Sequence, residues 1–371
     1  MPLKKRGAAL TAAAAALAIA IAGCQHQQAG TNTGSTDTEA SVAVVNGQPI
    51  AQSDFFNQLQ IFQPPQQQQQ QAPEPVGRTV LRNLIETDLI EQLAAKENAA
   101  PTDQELDGVL AGEKALLDFQ TIAGFEKQLQ DAGLTEDDVK NRQLRPMLSR
   151  VKLLSNGTTV SDQDITQYYD KNKAQRFSLP DRVHIRKIAL ASQMEAQTIA
   201  AAIKGGKPFE NYLGQSIDQS TPGGDVRQWI PLSGNIAPAT KPIVDALKNV
   251  NTGDIAAPLN YGGSWWIVQV VDKKPASVIP LDQIRDLVRF QILSDKVQSN
   301  FSSNMDLEQK MRQFTASSNI TTTLPLYQSL IDQIKNPPPP PSIPQMAPPS
   351  QPSAPVGNRP GPGPVSGAKT P

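Results

Sequence analysis

Val183-His184-Ile185-Arg186-Lys187-Ile188-Ala189-Leu190 decides how this chain is read. Apolar and polar residues alternate through its first half, the pattern of a half-buried strand. A helix is expected over residues 194–204, with Ile199 and Ile203 four apart on one face, and Gly205-Gly206 supplies its end. Next come Phe209-Glu210-Asn211-Tyr212, Ser216-Ile217-Asp218, the glycine turn Gly223-Gly224-Asp225, and Trp229. Thr252-Gly253-Asp254-Ile255 and Tyr261-Gly262-Gly263 lead into a second strand, Trp265-Trp266-Ile267-Val268-Gln269-Val270-Val271. Residues 182–273 therefore read as one small α/β module.

The order of these pieces resembles the parvulin (rotamase, PpiC-type) peptidyl-prolyl isomerase domain. Four matches carry the resemblance: Ser216-Ile217-Asp218, Gly223-Gly224-Asp225 followed by Trp229, Thr252-Gly253-Asp254-Ile255, and Tyr261-Gly262 before the last strand. The resemblance implies a four-stranded antiparallel sheet wrapped by helices, with a shallow pocket for a prolyl ring. In the family one histidine sits near the end of the first strand and another begins the last. Here Lys187 and Trp266 (or Trp265) stand in those places, while Asp218 sits where the family carries an aspartate or cysteine. His184 lies three residues before Lys187. An odd shift along a strand puts it on the opposite face.

Isomerisation must cross a barrier of about 18–20 kcal/mol set by amide resonance. A catalyst favours the twisted amide over both planar forms. An apolar prolyl pocket and polar groups placed for the twisted state suffice. No nucleophile, cofactor or metal is needed. By the resemblance, the groove is lined by Lys187, Asp218, Trp229, Ile236, Ile243, Val244 and Trp266. Asp218 orients the carbonyl region through hydrogen bonds, and Trp229, Ile236, Ile243 and Val244 contact the prolyl ring. A charged Lys187 and a large indole at Trp266 change the polarity and volume of that pocket. The competing reading of Asp218 is a carboxylate that caps a turn.

The rest of the composition excludes other chemistry. The formal net charge of −1 gives no footing for nucleic acid. The one cysteine is Cys24, and the two histidines are His26 and His184, so a Ser-His-Asp machine or a histidine-rich metal site is not expected. A hydrolase or solute-binding reading finds no triad, phosphate loop or repeated βαβ pattern. Lys4-Lys5-Arg6, an apolar stretch over residues 8–22, and Gly23 before Cys24 form a secretion signal. Its end resembles a bacterial lipobox. That implies cleavage before Cys24 and a lipid on its sulfur, with residues 1–23 as the signal peptide. Gln25 follows rather than Asp, so the usual inner-membrane retention cue is missing.

Residues 24–40 read as a flexible tether. Val42-Ala43-Val44-Val45-Asn46-Gly47-Gln48-Pro49-Ile50 looks like the start of a SurA/PrsA-type foldase N-domain, with Ser53 expected to cap a helix. A low-complexity Pro/Gln insertion occupies 63–77. Helices follow from Arg78, from Thr102 and Thr135 as capping residues, and from Ser161. One long helix is expected over 280–314. In the resembled family that helix packs back on the N-terminal helices and leaves the isomerase module as an insertion. The expected class is α+β. Its parts are a helical N-domain over 41–177, a parvulin-like domain over 178–276, a returning C-terminal helix over 277–330, and a Pro-rich tail over 331–371 that is expected to be disordered. The resemblance implies a membrane-tethered extracytoplasmic foldase. Its partners would be unfolded or nascent secreted or outer-membrane polypeptides and their X-Pro segments. The alternative is a catalytically inactive chaperone or envelope scaffold on the same fold.

Overall fold

The computed structural model describes residues 40–62, 74–155, 157–298 and 301–337. The expected signal segment, Cys24, most of the Pro/Gln insertion and most of the Pro-rich tail lie outside them. Asn46 and Gly47 both have positive φ (51° and 88°), as a two-residue hairpin turn demands. They join β1 (Ser41–Val45) to β2 (Gln48–Ala51) in antiparallel register. α1 (Gln52–Ile61) starts one residue before the expected cap. Ser53 therefore caps nothing; β2 runs straight into the helix, and the Gln52 amide donates to the Ala40 carbonyl at 2.8 Å.

α2 (Val76–Lys96) buries Leu81, Ile85, Leu89 and Leu93 at four-residue spacing. α3 (Asp103–Gln120) opens with a capping box between Thr102 and Glu105. α4 (Gly124–Ala132) ends at left-handed Gly133. α5 (Glu136–Asp138) has a second capping box, Thr135 with Asp138, and runs through a π-helical stretch, Val139–Leu144, into α6 (Arg145–Ser155). α7 (Asp162–Arg176) is capped by Ser161 and Asp164.

The chain then enters the module through β3 (Ser178–Leu179) and β4 (Arg182–Leu190). α8 (Gln193–Lys204), β5 (Asp225–Pro231), α9 (Lys241–Leu247), β6 (Leu259–Tyr261) and β7 (Ser264–Lys274) follow. The chain leaves through β8 (Ser277–Val278), which pairs with β3. The sheet has the order β5-β4-β7-β6 and is antiparallel throughout. Alternation along β4 splits its apolar residues between two cores. Val183 and Ile185 pack with Val268, Val270, Ile243 and Leu247. Ile188 and Leu190 pack with Ile199, Phe209 and Ile267 on the other face. Each such side chain, fully buried, contributes about 1.5–3 kcal/mol.

The helix expected over 280–314 is described as α10 (Leu281–Gln298) and α11 (Phe301–Ser317); residues 299–300, between them, lie outside the described residues. Leu287, Phe290 and Val297 of α10 share one core with Leu307 of α11, and α10 has a second buried face. Ile284, Val288 and Ile292 of α10 pack with Ile165 and Phe177, whereas Leu307 and Met311 of α11 join Ile90, Leu148 and Val151. Order then continues past the expected start of the tail at 331. β9 (Ile320–Thr322) pairs antiparallel with β1, and α12 (Gln328–Lys335) buries Leu330, Ile331 and Ile334. The last segments thus complete the body that the first segments begin, and the module sits between them.

A neck joins module to body. The Arg182 guanidinium lies between the Phe119 ring of α3, 5.7 Å away, and the Trp229 ring of β5, 5.2 Å away. It also donates to Ser277 Oγ at 3.2 Å. Tyr169 Oη donates to the Ile279 carbonyl at 2.6 Å, and its ring stacks on Phe177.

Burial pushes the Glu113 and Glu91 carboxyls up to about 7, and that of Asp88 up to about 6; the Asp88 charge adds to the shift of Glu91 and the Asp54 charge to that of Asp88. The folded chain therefore binds more protons than the unfolded chain between the ordinary carboxylate range and pH 7. Stability from these groups is full below that window and is lost as pH rises through it. Thermal unfolding is expected at a higher temperature at pH 5 than at pH 7.5, and Glu113→Gln should shrink the difference. Gly112 faces α10 so closely that an added Cβ would lie 2.6 Å from Leu287 Cβ. Gly112→Ala should destabilise the chain by about 1–3 kcal/mol in denaturant titration.

Candidate functional site

Ser216 and Ile217 are stitched to the end of β4. The Ile217 amide donates to the Ala189 carbonyl at 2.8 Å, and the Ala189 amide donates to Ser216 Oγ at 3.1 Å. This fixes Asp218 beside Lys187, and Lys187 Nζ reaches Asp218 Oδ2 at 2.6 Å. Two residues on, the loop turns back to the same carboxylate. The Ser220 amide and hydroxyl donate to Oδ1 at 2.8 and 2.6 Å, and the Thr221 hydroxyl donates to Oδ2 at 3.0 Å. The Lys187 ammonium, followed by the Ser220 donors, holds the Asp218 carboxyl well below the usual carboxylate range. Gly224 (φ 72°) allows the glycine turn to pass against the Lys187 carbonyl, where any side chain would collide.

Trp266 completes the group from β7. Ala189 pairs with Trp266 and Lys187 with Val268, so Lys187 and Trp266 are diagonal neighbours on one sheet face. Lys187 Nζ lies 4.1 Å from the Trp266 ring centroid, a cation–π distance. The indole is held by its own Nε1–H, which donates to Ser264 Oγ at 2.9 Å, and by the Tyr261 ring, 4.7 Å away at 61°. Lys187 and Asp218 side chains are 12% and 18% exposed, so the ion pair is largely withdrawn from water. The turn-capping geometry is present, with Ser220 and Thr221 donating to the carboxylate. The same carboxylate anchors the lysine.

The other expected groove residues are not gathered here. Trp229 stands with His184, ring centroids 6.0 Å apart, and with Arg182. Those residues share the face of β4 opposite Lys187, and His184 Nε2 meets Asp225 Oδ1 at 2.5 Å. Trp229 is thus a neck residue. Ile243 and Val244 are 3% and 0% exposed, and burial in the module core leaves them no surface for a prolyl ring. Ile236 is half-buried in the loop between β5 and α9. Ser220, Thr221, Tyr261 and Ser264 were missed. Asp218-Gln219-Ser220-Thr221 is a local side-chain turn signature that could have revealed the first two.

A second feature lies in the helical body. A cleft of about 1010 Å³ opens between α2, α6, α11 and α12. Half-buried Met147 and Met311 give it apolar surface over buried Ile90, Leu307 and Ile334, and Arg82, Glu86, Arg150, Glu308 and Arg312 line it as well. Among the described residues no group of histidine, cysteine and carboxylate side chains could hold a metal, and no helix is long and apolar enough to cross a membrane.

Known proteins bear on both parts. Residues 160–286 match the PPIC-type PPIASE domain, and residues 3–154 match the SurA-like N-terminal domain. The foldase protein PrsA of Clostridium acetobutylicum is 25% identical over 236 residues, covering 61% of this chain and 69% of that protein. The PrsA of Clostridium kluyveri is 23% identical over 310 residues, covering 76% of this chain and 88% of that one. A solved structure of a SurA-like chaperone from Campylobacter jejuni aligns with 73% of this chain and 98% of its own at 19% identity, with a TM-score of 0.33. The two domain matches follow one another along the chain in the order the fold shows, and the chain belongs to the SurA/PrsA-type foldases that carry a parvulin domain.

Proposed function

We propose that this chain is an extracytoplasmic folding factor that holds unfolded or nascent secreted polypeptides and engages their X-Pro segments at Lys187. The observation that carries the reading is the Lys187–Asp218 ion pair at 2.6 Å under the Trp266 ring, set in a parvulin sheet. An ammonium has three donors, and Asp218 takes one. The others are available to an X-Pro amide. In the planar forms the imide nitrogen lone pair is delocalised into the carbonyl; on twisting it becomes a hydrogen-bond acceptor. A donor at that nitrogen therefore favours the twisted form over both planar ones. The indole keeps water from the ammonium and strengthens that bond. No proton is transferred and no covalent bond is made.

Holding is the task of the helical body. The cleft between α2, α6, α11 and α12 suits extended apolar segments without strict sequence preference. The basic start, the apolar stretch over 8–22 and Cys24 support export and a lipid tether to the membrane, which would keep the cleft where secreted or outer-membrane chains emerge.

A second reading, a client holder without isomerase activity, is favoured by the saturation of Asp218. Lys187, Ser220 and Thr221 already occupy its oxygens. Exchange NMR of short X-Pro peptides with the full chain separates the two. Acceleration that Lys187→Met returns to the uncatalysed rate establishes the first reading. Suppressed client aggregation with no acceleration establishes the second, and failure of both assays removes the folding-factor proposal. The ion pair itself should appear in a double-mutant cycle of Lys187→Met and Asp218→Asn. A stabilising coupling of about 0.5–3 kcal/mol is expected from urea unfolding, and additive effects would mean the pair contributes nothing to the site.

A further inference from the structure

Pro337, the last residue described, lies on the cleft wall beside Gln333 and Ile334 of α12. The chain therefore passes into residue 338 from the cleft itself, with no linker between.

The next residues have the chemistry the cleft takes. Pro338 to Pro341 are consecutive, and Ile343, Pro344 and Met346 follow. Residues 338–358 contain no Asp, Glu, Lys or Arg, so docking them puts no charge on an apolar surface. A polyproline II segment makes no internal hydrogen bonds, and its carbonyls stay free. The cleft rim offers donors to such carbonyls from Arg82, Arg150 and Arg312. Met147 and Met311 adapt to irregular shapes more readily than branched side chains do. The dimensions also agree. Residues 82–90 span about 12 Å of α2 at 1.5 Å per residue. Four residues in polyproline II cover about the same distance at 3.1 Å each.

We infer that residues 338–346 dock in the cleft between α2, α6, α11 and α12 as an internal ligand, which an unfolded client must displace. The competition, though not the docking, rests on the reading of this cleft as a client surface. A segment attached at the cleft wall acts at an effective concentration in the millimolar range. Weak intrinsic binding is then enough to occupy the cleft, and client affinity is lowered by the occupied fraction. Weak clients are excluded, and clients with several apolar segments win.

Methyl NMR of the methionines tests the docking directly. Met147 and Met311 line the cleft, whereas Met194 is 79% exposed on the module. Ending the chain at Pro337 should move the Met147 and Met311 methyl resonances and leave that of Met194 in place. A peptide of residues 338–350 added to the shortened chain should move them back. A full-length variant with Pro338 to Pro341 replaced by serine should resemble the shortened chain. If Met147 and Met311 do not respond to shortening, or if the peptide fails to restore them, the docking is refuted. A permanently unfolded client should bind the shortened chain several-fold more tightly than the full chain. If the methyl resonances behave as expected but client affinity stays the same, the docking stands and the cleft is not the client surface.

Discussion

The pairing of β1 with β9 is the constraint on which the rest depends. Thr322 Oγ1 donates to the Val42 carbonyl at 2.8 Å, and Asn46 Oδ1 accepts from the Asn319 amide at 2.8 Å, so two ends of the folded chain are laced together. α10, α11 and α12 then fill the core that α2, α3 and α6 leave open. Everything between α7 and α10 must leave the body and return to it at one place. The β3–β8 pair and the Arg182 sandwich mark that place. The module can carry its own sheet and cores because entry and exit lie side by side.

This arrangement divides the chemistry. The cleft lies in the body, where four helices meet. The polar group lies on the module sheet, where strand alternation sets Lys187 and Trp266 on one face. Asp218 is the link between loop order and charge. Its oxygens accept from Ser220 and Thr221 as well as from Lys187. A loop fixed in that way holds the ammonium against the indole without help from a substrate, so the site is preorganised. In place of the histidine pair of the resembled family it offers the Lys187–Asp218 pair.

Local signals made much of the fold legible. The capping boxes at Thr102, Thr135 and Ser161 sit where a hydroxyl and an acid three residues apart announce them. Lys187, Asp218 and Trp266 were named from the resemblance to the parvulin domain, and strand pairing accounts for Lys187 and Trp266 lying on one sheet face. What stayed hidden was non-local. β9 has three residues, and its partner lies about 280 residues earlier, so nothing nearby in sequence declares it. Trp229 was assigned to the groove by the resemblance, whereas its ring stands with His184 and Arg182. Ile243 and Val244 have the right character for a pocket wall, but helix packing turned them inward. The cleft is assembled from four helices, and no single stripe announces it.

The three tryptophans, Trp229, Trp265 and Trp266, all belong to the module sheet, and none lies in the helical body. Intrinsic tryptophan fluorescence therefore reports on the module and, through Trp229, on the neck, while the body is silent at those wavelengths. Far-ultraviolet circular dichroism is weighted the other way, because the long helices are in the body. The chain thus carries a separate optical label for each of its parts, and the offset between the two unfolding curves measures how tightly the Arg182 neck couples them.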